Sequence, residues 1–298
     1  MNSDSILCNV FNVNLWEIIM EKLRAALLQT KVYADKDKNI HETIKLIEKV
    51  SKEGANIAIL PEMFCCPYNT EKFKVYGEEE KGAAYKALSN AAAQNNIYVV
   101  SGTIPELCGD KIYNTSYVFD RVGVQIGKHR KMHLFDIDIE GGQRFKESDV
   151  LSPGSDVTVF DTEFCKIGLA VCYDIRFPEL SRLMALKGAE VIIVPGAFNM
   201  TTGPAHWETL FKSRALDNQV YTIGVAPSRD YESSYHSYGN SIVASPWGNI
   251  INKMDDKEGY IIQEIDLDYV KKVRNELPLL KHIRSDVYSL KIISPDHH

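Results

Sequence analysis

The chain lacks the short motifs that mark the commonest nucleotide-binding and hydrolase sites. Its 298 residues contain no GxGxxG, no GxxxxGKS/T and no GxSxG, so dinucleotide binding, phosphate-loop chemistry and a serine nucleophile elbow have no basis in the sequence. A CxxC pair is missing too, and the six cysteines follow no regular framework. In a chain of this length we therefore expect reduced thiols and no structural metal.

A net positive charge, long apolar runs and a recognisable secretion signal are also missing. The formal net charge is −6 and the pI is about 5.8, which argues against nucleic acid as a main partner. No apolar run reaches the roughly 18 residues of a membrane span. The N-terminal segment has no basic region, and the first arginine is Arg24, unlike a signal peptide or an Arg-rich presequence. We expect a cytoplasmic protein without membrane attachment and leave a mitochondrial location open.

What the chain does contain is an alternation of apolar strands and amphipathic helices. Apolar residues make up 45% of the sequence and charged residues 25%, as in ordinary globular proteins. "LRAALLQTKV", "IAIL", "IYVVSGT" and "VIIVPGAF" are typical of buried strands, and "HETIKLIEKVSKEG" and "HWETLFKSRALDNQ" of helices. This pattern predicts a layered α/β architecture. We expect an N-terminal extension at 1–22, one domain at 23–290 and a tail at 291–298.

Cys172 lies where a predicted strand gives way to a predicted helix. In "IGLAVCYDIRFPEL" (167–180) a short apolar run precedes it, and Pro178 and Glu179 suit the first turn of a helix. A thiol in this place is most often a small core side chain. A helix N-terminus, however, favours the thiolate, and a working nucleophile needs a base or a cationic neighbour as well. For Cys172 taken alone, core packing and nucleophilic catalysis are therefore both open interpretations.

Three charged residues have positions that would suit catalytic partners. Glu62 follows "IAIL" and Pro61, which ends the strand, and burial there would suit its carboxyl to proton transfer. Lys131, in "GKHRKMHLFD", could supply a fixed positive charge to a thiolate and an oxyanion. Glu147, in "FKESDVLSPGS", is by itself typical of an exposed loop acid. Each also has a plain alternative as a solvated surface residue.

Six stretches of the chain, taken together, resemble one family. They occur in the order "ILPEMF", "KMHLFDID", "FKESDVLSPG", "GLAVCYDIRFPEL", "VPGAFNMTTGPAHWETL" and "SRALDNQVY". The series resembles the nitrilase superfamily of carbon–nitrogen hydrolases over about residues 23–288. "HLFDID", "TGPAHW" and "RSDVY" are most similar to its omega-amidase branch. The resemblance implies a four-layer α-β-β-α sandwich in one domain, usually dimeric, with no metal or organic cofactor.

The resemblance also implies a Glu-Lys-Cys mechanism. It makes Cys172 the nucleophile, Glu62 the general base, Lys131 the oxyanion stabiliser and Glu147 a supporting second glutamate. We expect the backbone N–H of Tyr173 to help hold the oxyanion. The expected reaction is hydrolysis of the omega-amide of 2-oxoglutaramate or 2-oxosuccinamate to the 2-oxo acid and ammonia, through a thioester.

Such a substrate carries a carboxylate at the end opposite the amide. Arg176, four residues beyond the nucleophile, could clamp that carboxylate, or could pair with Asp174 or Glu179. The stretch "AFNMTTGPAHW" (197–207) could form a helix cap with a core aromatic or a pocket wall. The residues that we expect to contact substrate are Arg176, Tyr68, Phe198, Met200 and Thr202.

Other functions and one departure from the family pattern remain. The main alternative is a sister amidase that acts on deaminated glutathione or a carbamoyl substrate, followed by a non-catalytic scaffold with the same fold. "YGNSIVASPWG" carries Asn240 where close relatives are expected to have histidine, so a proton-transfer role there is not expected.

The helix after Cys172 and the segment "LPLLKHIRSDVY" have apolar residues without an evident partner within the chain. Such residues predict a homodimer.

Overall fold

The computed structural model describes residues 22–139 and 144–293. The predicted extension at 1–22 lies outside the described residues except for Lys22, and the predicted tail is described only as far as Ile293. The helices are α1 (Lys36–Lys52), α2 (Thr70–Tyr76), α3 (Ala83–Asn95), α4 (Pro178–Leu186), α5 (Gly203–Asn218) and α6 (Leu267–Glu276). None of these described helices has the length and apolarity needed to cross a membrane.

Sixteen strands lie in the described part of the chain. They are β1 (Leu23–Gln29), β2 (Ile57–Ile59), β3 (Glu78–Glu79), β4 (Tyr98–Val100), β5 (Ile104–Cys108), β6 (Lys111–Phe119), β7 (Gln125–Arg130), β8 (Asp136–Asp138), β9 (Arg144–Lys146), β10 (Thr158–Asp161), β11 (Lys166–Leu169), β12 (Val191–Pro195), β13 (Tyr221–Val225), β14 (Ile242–Ala244), β15 (Ile250–Lys253) and β16 (Gly259–Ile265).

Two sheets carry the fold. The first has the order β16-β1-β2-β4-β6-β5-β3, with β7 paired to β6, and the second has the order β10-β11-β12-β13-β14-β15. The central strands are parallel: β1, β2 and β4 in the first sheet, and β11, β12 and β13 in the second. Strands β8 and β9 form a separate antiparallel pair. The apolar runs predicted as buried strands therefore lie at the centre of each sheet.

The two sheets face each other, and helices cover their outer faces. Along β1, Leu23, Ala25 and Leu27 belong to a core shared with β11, β12 and β13, whereas Ala26 and Leu28 pack with α1 and α3. This division follows from the two-residue period of a strand. Helices α4 and α5 pack on the outer face of the second sheet. The architecture is the single-domain α-β-β-α sandwich that the sequence predicts.

The helices differ from the sequence prediction in extent and in number. The first begins at Lys36 rather than at His41, because the side chain of Asp35 accepts the Lys38 N–H at 3.0 Å and caps the helix. Helices α2 and α6 were not predicted. The first is only seven residues long, too short for a clear apolar period. The second carries Leu267, Val270 and Val273 at a three-residue spacing, a period that the sequence reasoning overlooked.

Candidate active site

The predicted catalytic residues lie just beyond strand ends, at one edge of the two sheets. Glu62 comes three residues after β2 and Cys172 three residues after β11, while Lys131 and Glu147 directly follow β7 and β9. Parallel strands that start on the same side of a sheet also end on the same side, which is where α/β proteins build their sites. This rule places Glu62 and Cys172. Lys131 follows the antiparallel strand β7 and Glu147 follows the separate β8–β9 pair, and the fold brings all four side chains together.

Glu62, Lys131 and Glu147 form a fully buried charged network. Lys131 Nζ lies 3.0 Å from Glu62 Oε1 and 2.8 Å from Glu147 Oε2. Burial alone would lower the pKa of Lys131, but the negative charges of Glu147 and Glu62 outweigh it and raise that pKa. Burial raises the pKa of Glu147 in spite of the attraction of Lys131. The ammonium of Lys131 is therefore a permanent charge held between two carboxyl groups.

The two oxygens of Glu62 have different surroundings. Oε1 accepts hydrogen bonds from Asn114 Nδ2 at 2.8 Å and from Lys131 Nζ at 3.0 Å. Oε2 accepts the backbone N–H of Ala197 at 2.8 Å, and the charge of the same carboxyl group raises the pKa of the neighbouring Cys172 thiol. Because two strong donors already occupy Oε1, we infer that Oε2 is the better placed oxygen to take a proton from the thiol.

Cys172 sits in a constrained turn. It begins the 3₁₀ helix Cys172–Arg176 and has a φ of 47°, a conformation that non-glycine residues rarely adopt. Burial first, and then the charge of Glu62, raises the pKa of the thiol well above its ordinary value, and Lys131 opposes this shift without overcoming it. The positive charge of Lys131 thus favours the thiolate without overcoming burial and Glu62, and its role in stabilising the thiolate and the oxyanion stays a prediction.

Glu147 is buried instead of being an exposed loop acid. Its Oε2 accepts the Phe135 N–H at 2.7 Å, and its Oε1 accepts the Tyr68 hydroxyl at 2.6 Å and Lys131 Nζ at 2.9 Å. Tyr68 also lies 3.4 Å from Glu62 Oε1. Tyr68, predicted as a substrate contact, thus belongs to the charged network itself.

Three residues of the site were missed by the sequence reasoning. Asn114 is a buried amide on β6 that hydrogen-bonds Glu62, and Tyr235 donates its hydroxyl hydrogen to the Ala197 carbonyl and packs against Tyr68 at 4.6 Å between ring centres. Asp174, considered only as a partner for Arg176, instead accepts hydrogen bonds from two histidines, described below. A polar residue at an inward position of "KIYNTSYVF" was the one signal available for Asn114.

Arg176 lies at the edge of the site. One of its terminal nitrogens lies 3.1 Å from His206 Nδ1, and its guanidinium carbon lies 4.8 Å from the ring centre of Phe198. Its Nε is buried and has no hydrogen-bond partner among the residues that the structure describes. The alternative given above, a pairing with Asp174 or Glu179, is not among the ion pairs of the described residues. Arg176 and Phe198 are therefore neighbours, as a shared substrate pocket requires.

The structure leaves the roles of Met200 and Thr202 as predictions. Met200 is 43% exposed, on the turn before α5. Thr202 is buried, and its hydroxyl donates to Asn199 Oδ1 at 3.2 Å. That hydroxyl is already engaged within its own turn, which makes it a weaker candidate for a substrate donor than the guanidinium of Arg176.

Asn240 has a backbone reason for its identity. Asn240 has a φ of 61°, and Gly239 before it has a φ of 68°. Asparagine is one of the few non-glycine residues that adopt this left-handed conformation readily. Its carbonyl accepts the indole N–H of Trp207, on α5, at 2.8 Å. The residue that departs from the family pattern therefore helps to hold α5 in place.

Cys65, Cys66 and Cys165 are buried, as structural thiols are, whereas Cys108 is exposed. Burial raises the pKa of Cys65 and of Cys165 to about 12, so neither ionises appreciably near neutral pH. Within residues 22–139 and 144–293, no group of His, Cys, Asp and Glu side chains has the arrangement of a metal site. Of the described cysteines, Cys172 is the one whose thiol pKa is shifted by the charges of Glu62, Lys131 and Glu147.

The chain is similar to several known proteins. Residues 24–275 match the carbon–nitrogen hydrolase family. Omega-amidase NIT2 of Xenopus tropicalis is 46% identical over 272 residues, covering 91% of this chain and 99% of that protein, and omega-amidase NIT2 of Homo sapiens is 41% identical over 276 residues, covering 93% and 100%. The crystal structure of Saccharomyces cerevisiae Nit3, a member of branch 10 of the nitrilase superfamily, has a TM-score of 0.81 and 42% identity, covering 88% of this chain and 97% of that one.

Proposed function

Because the chain belongs to the carbon–nitrogen hydrolase family, we propose that it is an omega-amidase that hydrolyses the terminal amide of short 2-oxo dicarboxylic acid monoamides. The family resemblance predicted from the sequence motifs is confirmed by the matches, and the protein is a hydrolase of carbon–nitrogen bonds. One observation carries the chemistry: buried Glu62 and Lys131 lie 3.0 Å apart, and the charges of both act on the pKa of the buried Cys172 thiol. This is a nucleophile, a base and an oxyanion stabiliser in one buried site.

Acylation begins with attack of Cys172 Sγ on the amide carbon. The carbon–sulfur bond forms as the thiol proton passes to Glu62 Oε2, and the carbonyl oxygen becomes an oxyanion. Lys131 Nζ and the Tyr173 N–H stabilise that oxyanion. The carbon–nitrogen bond then breaks as Glu62 gives the proton to the departing nitrogen. Ammonia leaves, and a thioester remains on Cys172.

Hydrolysis of the thioester uses the same groups in reverse. Glu62 takes a proton from water while the water oxygen attacks the thioester carbon, and Lys131 again stabilises the oxyanion. The carbon–sulfur bond breaks, and the proton returns from Glu62 to the sulfur. Glu147 holds Lys131 and Tyr68 in place throughout, which keeps the attacking water within reach of Glu62.

The substrate class follows from Arg176 and from the relatives. The guanidinium of Arg176 packs over Phe198 and retains a buried Nε without a partner in the described structure, so it can bind a carboxylate. Two of the relatives compared above are named omega-amidases. An omega-amide of a 2-oxo acid presents the carboxylate to Arg176 and the amide to Cys172. An amino acid would add an ammonium beside the guanidinium, which is unfavourable.

Ammonia release tests the proposed function directly. We expect the protein to release ammonia rapidly from 2-oxoglutaramate and 2-oxosuccinamate, and much more slowly from glutamine, asparagine and a simple nitrile. The Cys172→Ala variant is the control for contaminating activity. Faster release from deaminated glutathione or a carbamoyl compound would replace this proposal by the sister amidase, and no release from any amide would favour the non-catalytic scaffold.

We also propose that the protein is a homodimer. The segment after α6 and the outer side of α4 border a hollow of about 720 Å³. Near it Leu186, Val287 and Tyr288 are 49%, 68% and 60% exposed, and apolar surface of this kind is covered most simply by a second copy of the chain. Light scattering at micromolar concentration should give twice the chain mass of 33.7 kDa. A monomer mass would contradict the proposal.

A cytoplasmic location is proposed on the chemistry of the cysteines. The five described cysteines are free thiols, as expected in a reducing compartment. Cell fractionation with an antibody against the protein should recover it with cytoplasmic markers, and recovery with mitochondrial markers would correct the proposal.

A further inference from the structure

Asp174 is a fully buried carboxylate that receives hydrogen bonds from two parts of the chain. Its Oδ1 accepts the backbone N–H and the ring Nδ1 of His133, each at 2.8 Å. Its Oδ2 accepts the Val171 N–H at 3.0 Å and lies 3.0 Å from His129 Nε2. Burial alone would raise the pKa of Asp174, but the hydrogen bonds from His129 and His133 lower it. The side chain is therefore ionised and has both oxygens occupied.

The donors to Asp174 flank two catalytic residues. Val171 directly precedes Cys172 and follows β11 in the second sheet, whereas His133 comes two residues after Lys131, which follows β7 in the first sheet. One carboxylate thus connects the nucleophile turn to the segment that carries the oxyanion lysine.

The two histidines are held on their other sides as well. His129 Nδ1 lies 3.0 Å from Thr158 Oγ1. The ring of His133 stacks on Phe177, with 3.6 Å between ring centres and 10° between planes. Because neither ring can turn without losing a contact, the carboxylate is gripped by groups that are themselves fixed.

The backbone of Cys172 shows why such a grip is needed. A φ of 47° at a non-glycine residue persists only where surrounding contacts hold it. The hydrogen bond from the Val171 N–H to Asp174 closes across Cys172, and the Asp174 N–H in turn donates to the Val171 carbonyl at 3.0 Å. Two hydrogen bonds therefore enclose the strained residue.

We propose that Asp174 is a positioning residue of the oxyanion site: it sets the separation between the Cys172–Tyr173 turn and Lys131. Asp174 does not touch the reacting atoms, and it acts through Val171 and His133. The inference rests on the amide hydrolysis proposed above. It predicts a loss confined to steps that form an oxyanion, because those steps need the Tyr173 N–H and Lys131 at one fixed distance.

The test compares two reactions of the same thiol in Asp174→Asn. An asparagine has one acceptor oxygen, so either the Val171 N–H or the His133 N–H loses its partner. Loss of a whole oxyanion donor lowers kcat by about 10²–10³-fold, so we expect displaced donors to lower kcat for 2-oxoglutaramate by about 10- to 100-fold, with KM changed less than about threefold. Iodoacetamide alkylation of Cys172, followed by peptide mass spectrometry, should change less than about threefold, because iodide displacement forms no oxyanion.

A pair of His133 variants tests the proposal if Asp174→Asn does not fold. His133 is partly exposed, and His133→Asn can keep an N–H donor near the position of Nδ1, whereas His133→Leu cannot. We expect the Leu variant to lose several-fold more kcat than the Asn variant, with equal alkylation rates. Asp161→Asn removes a 74%-exposed acid paired with Lys166 and is the matched control, with no expected change.

Parallel loss of hydrolysis and alkylation in Asp174→Asn would overturn the inference, as would a change in KM alone or equal activity of the two His133 variants.

The acylation burst with p-nitrophenyl acetate distinguishes failure of the Asp174 proposal from failure of the proposed function. That ester forms an oxyanion on Cys172 without needing a carboxylate clamp. If the wild-type protein does not hydrolyse 2-oxoglutaramate, the proposed function fails, and the burst rates of the variants still decide whether Asp174 positions the oxyanion site.

Discussion

Replacing Glu62 by Gln should block acylation while the contacts of this side chain with Asn114 and Lys131 remain. A glutamine can keep its carbonyl oxygen toward Asn114 and Lys131, which donate to Oε1 at 2.8 and 3.0 Å. Its amide nitrogen then replaces Oε2 and, being a donor, no longer accepts the Ala197 N–H. An amide cannot accept the thiol proton either, so the variant keeps the contacts with Asn114 and Lys131 but loses the base and one buried hydrogen bond.

The size of the effect follows from the protonation state of Cys172. A thiol with the ordinary pKa of about 8.5 is only about 3% ionised at pH 7, and the pKa of Cys172 is raised well above its ordinary value by burial and by Glu62. Replacing Glu62 removes the contribution of its charge to the pKa of Cys172 but leaves the contribution of burial. General bases contribute about 10²- to 10⁴-fold, so we expect acylation to slow by about 10³-fold, or about 4 kcal/mol at 1.36 kcal/mol per decade.

The matched variant is Glu147→Gln, which removes the second carboxylate of the same network. Its contacts with Lys131, Tyr68 and the Phe135 N–H need both oxygens as acceptors, so an amide misplaces at least one of them. Glu62 remains able to take the thiol proton. We expect the thioester to form but to hydrolyse about 10- to 100-fold more slowly, since one charge-assisted hydrogen bond contributes about 1.5–3 kcal/mol.

Intact-protein mass spectrometry after rapid mixing with 2-oxoglutaramate distinguishes the two variants. The Glu147 variant should show a mass increase equal to the acyl group, and peptide mapping should place it on Cys172. The Glu62 variant should show none in the same time. An adduct on the Glu62 variant together with none on the Glu147 variant would refute the assignment of the base.

Three further outcomes are expected. Cys172→Ala should abolish ammonia release while the melting temperature stays close to that of the wild type, and full activity would remove the nucleophile assignment. Arg176→Ala should lower kcat/KM for 2-oxoglutaramate by about 10- to 100-fold, from about 1.5–3 kcal/mol of charge-assisted hydrogen bonding, and a neutral amide of similar length should be much less affected. Burial alone would raise the pKa of Glu106, but the hydrogen bonds of Arg130 and Lys128 lower it to about 2, so Glu106 contributes stability that is present above its ordinary pKa and is lost between about pH 4.5 and 2. Urea unfolding of Glu106→Gln should therefore show a deficit at pH 7 that shrinks below about pH 4.5, and a deficit that grows in acid would contradict this.

Local sequence determined where the elements of the site end. The apolar run before Cys172, with Pro178 and Glu179 after it, located the strand-to-helix turn, and the run before Pro61 located the end of β2. These signals are reliable because strand burial and helix starts depend on hydrophobicity and backbone preferences of neighbouring residues. Motif resemblance then linked Glu62, Lys131 and Cys172 to one mechanism.

Only the tertiary structure decided which partner each of these groups has. Asn114 and Glu62 are 52 residues apart, and Lys131 and Glu62 are 69 apart, yet each pair is in hydrogen-bond contact. No local pattern carries that information, because the contacts arise from the order of the strands within the sheet.

The same reason explains the expectations that the structure corrected. Arg176 and Asp174 are two residues apart and of opposite charge, so pairing was a reasonable local prediction. In the fold, however, the carboxylate turns inward to His129 and His133, and the guanidinium lies beside His206 and Phe198. The sequence by itself determined the strand ends and the kinds of side chain that follow them. The packing of two sheets against each other decided which of those side chains meet, because an interaction between distant segments depends on the whole path of the chain.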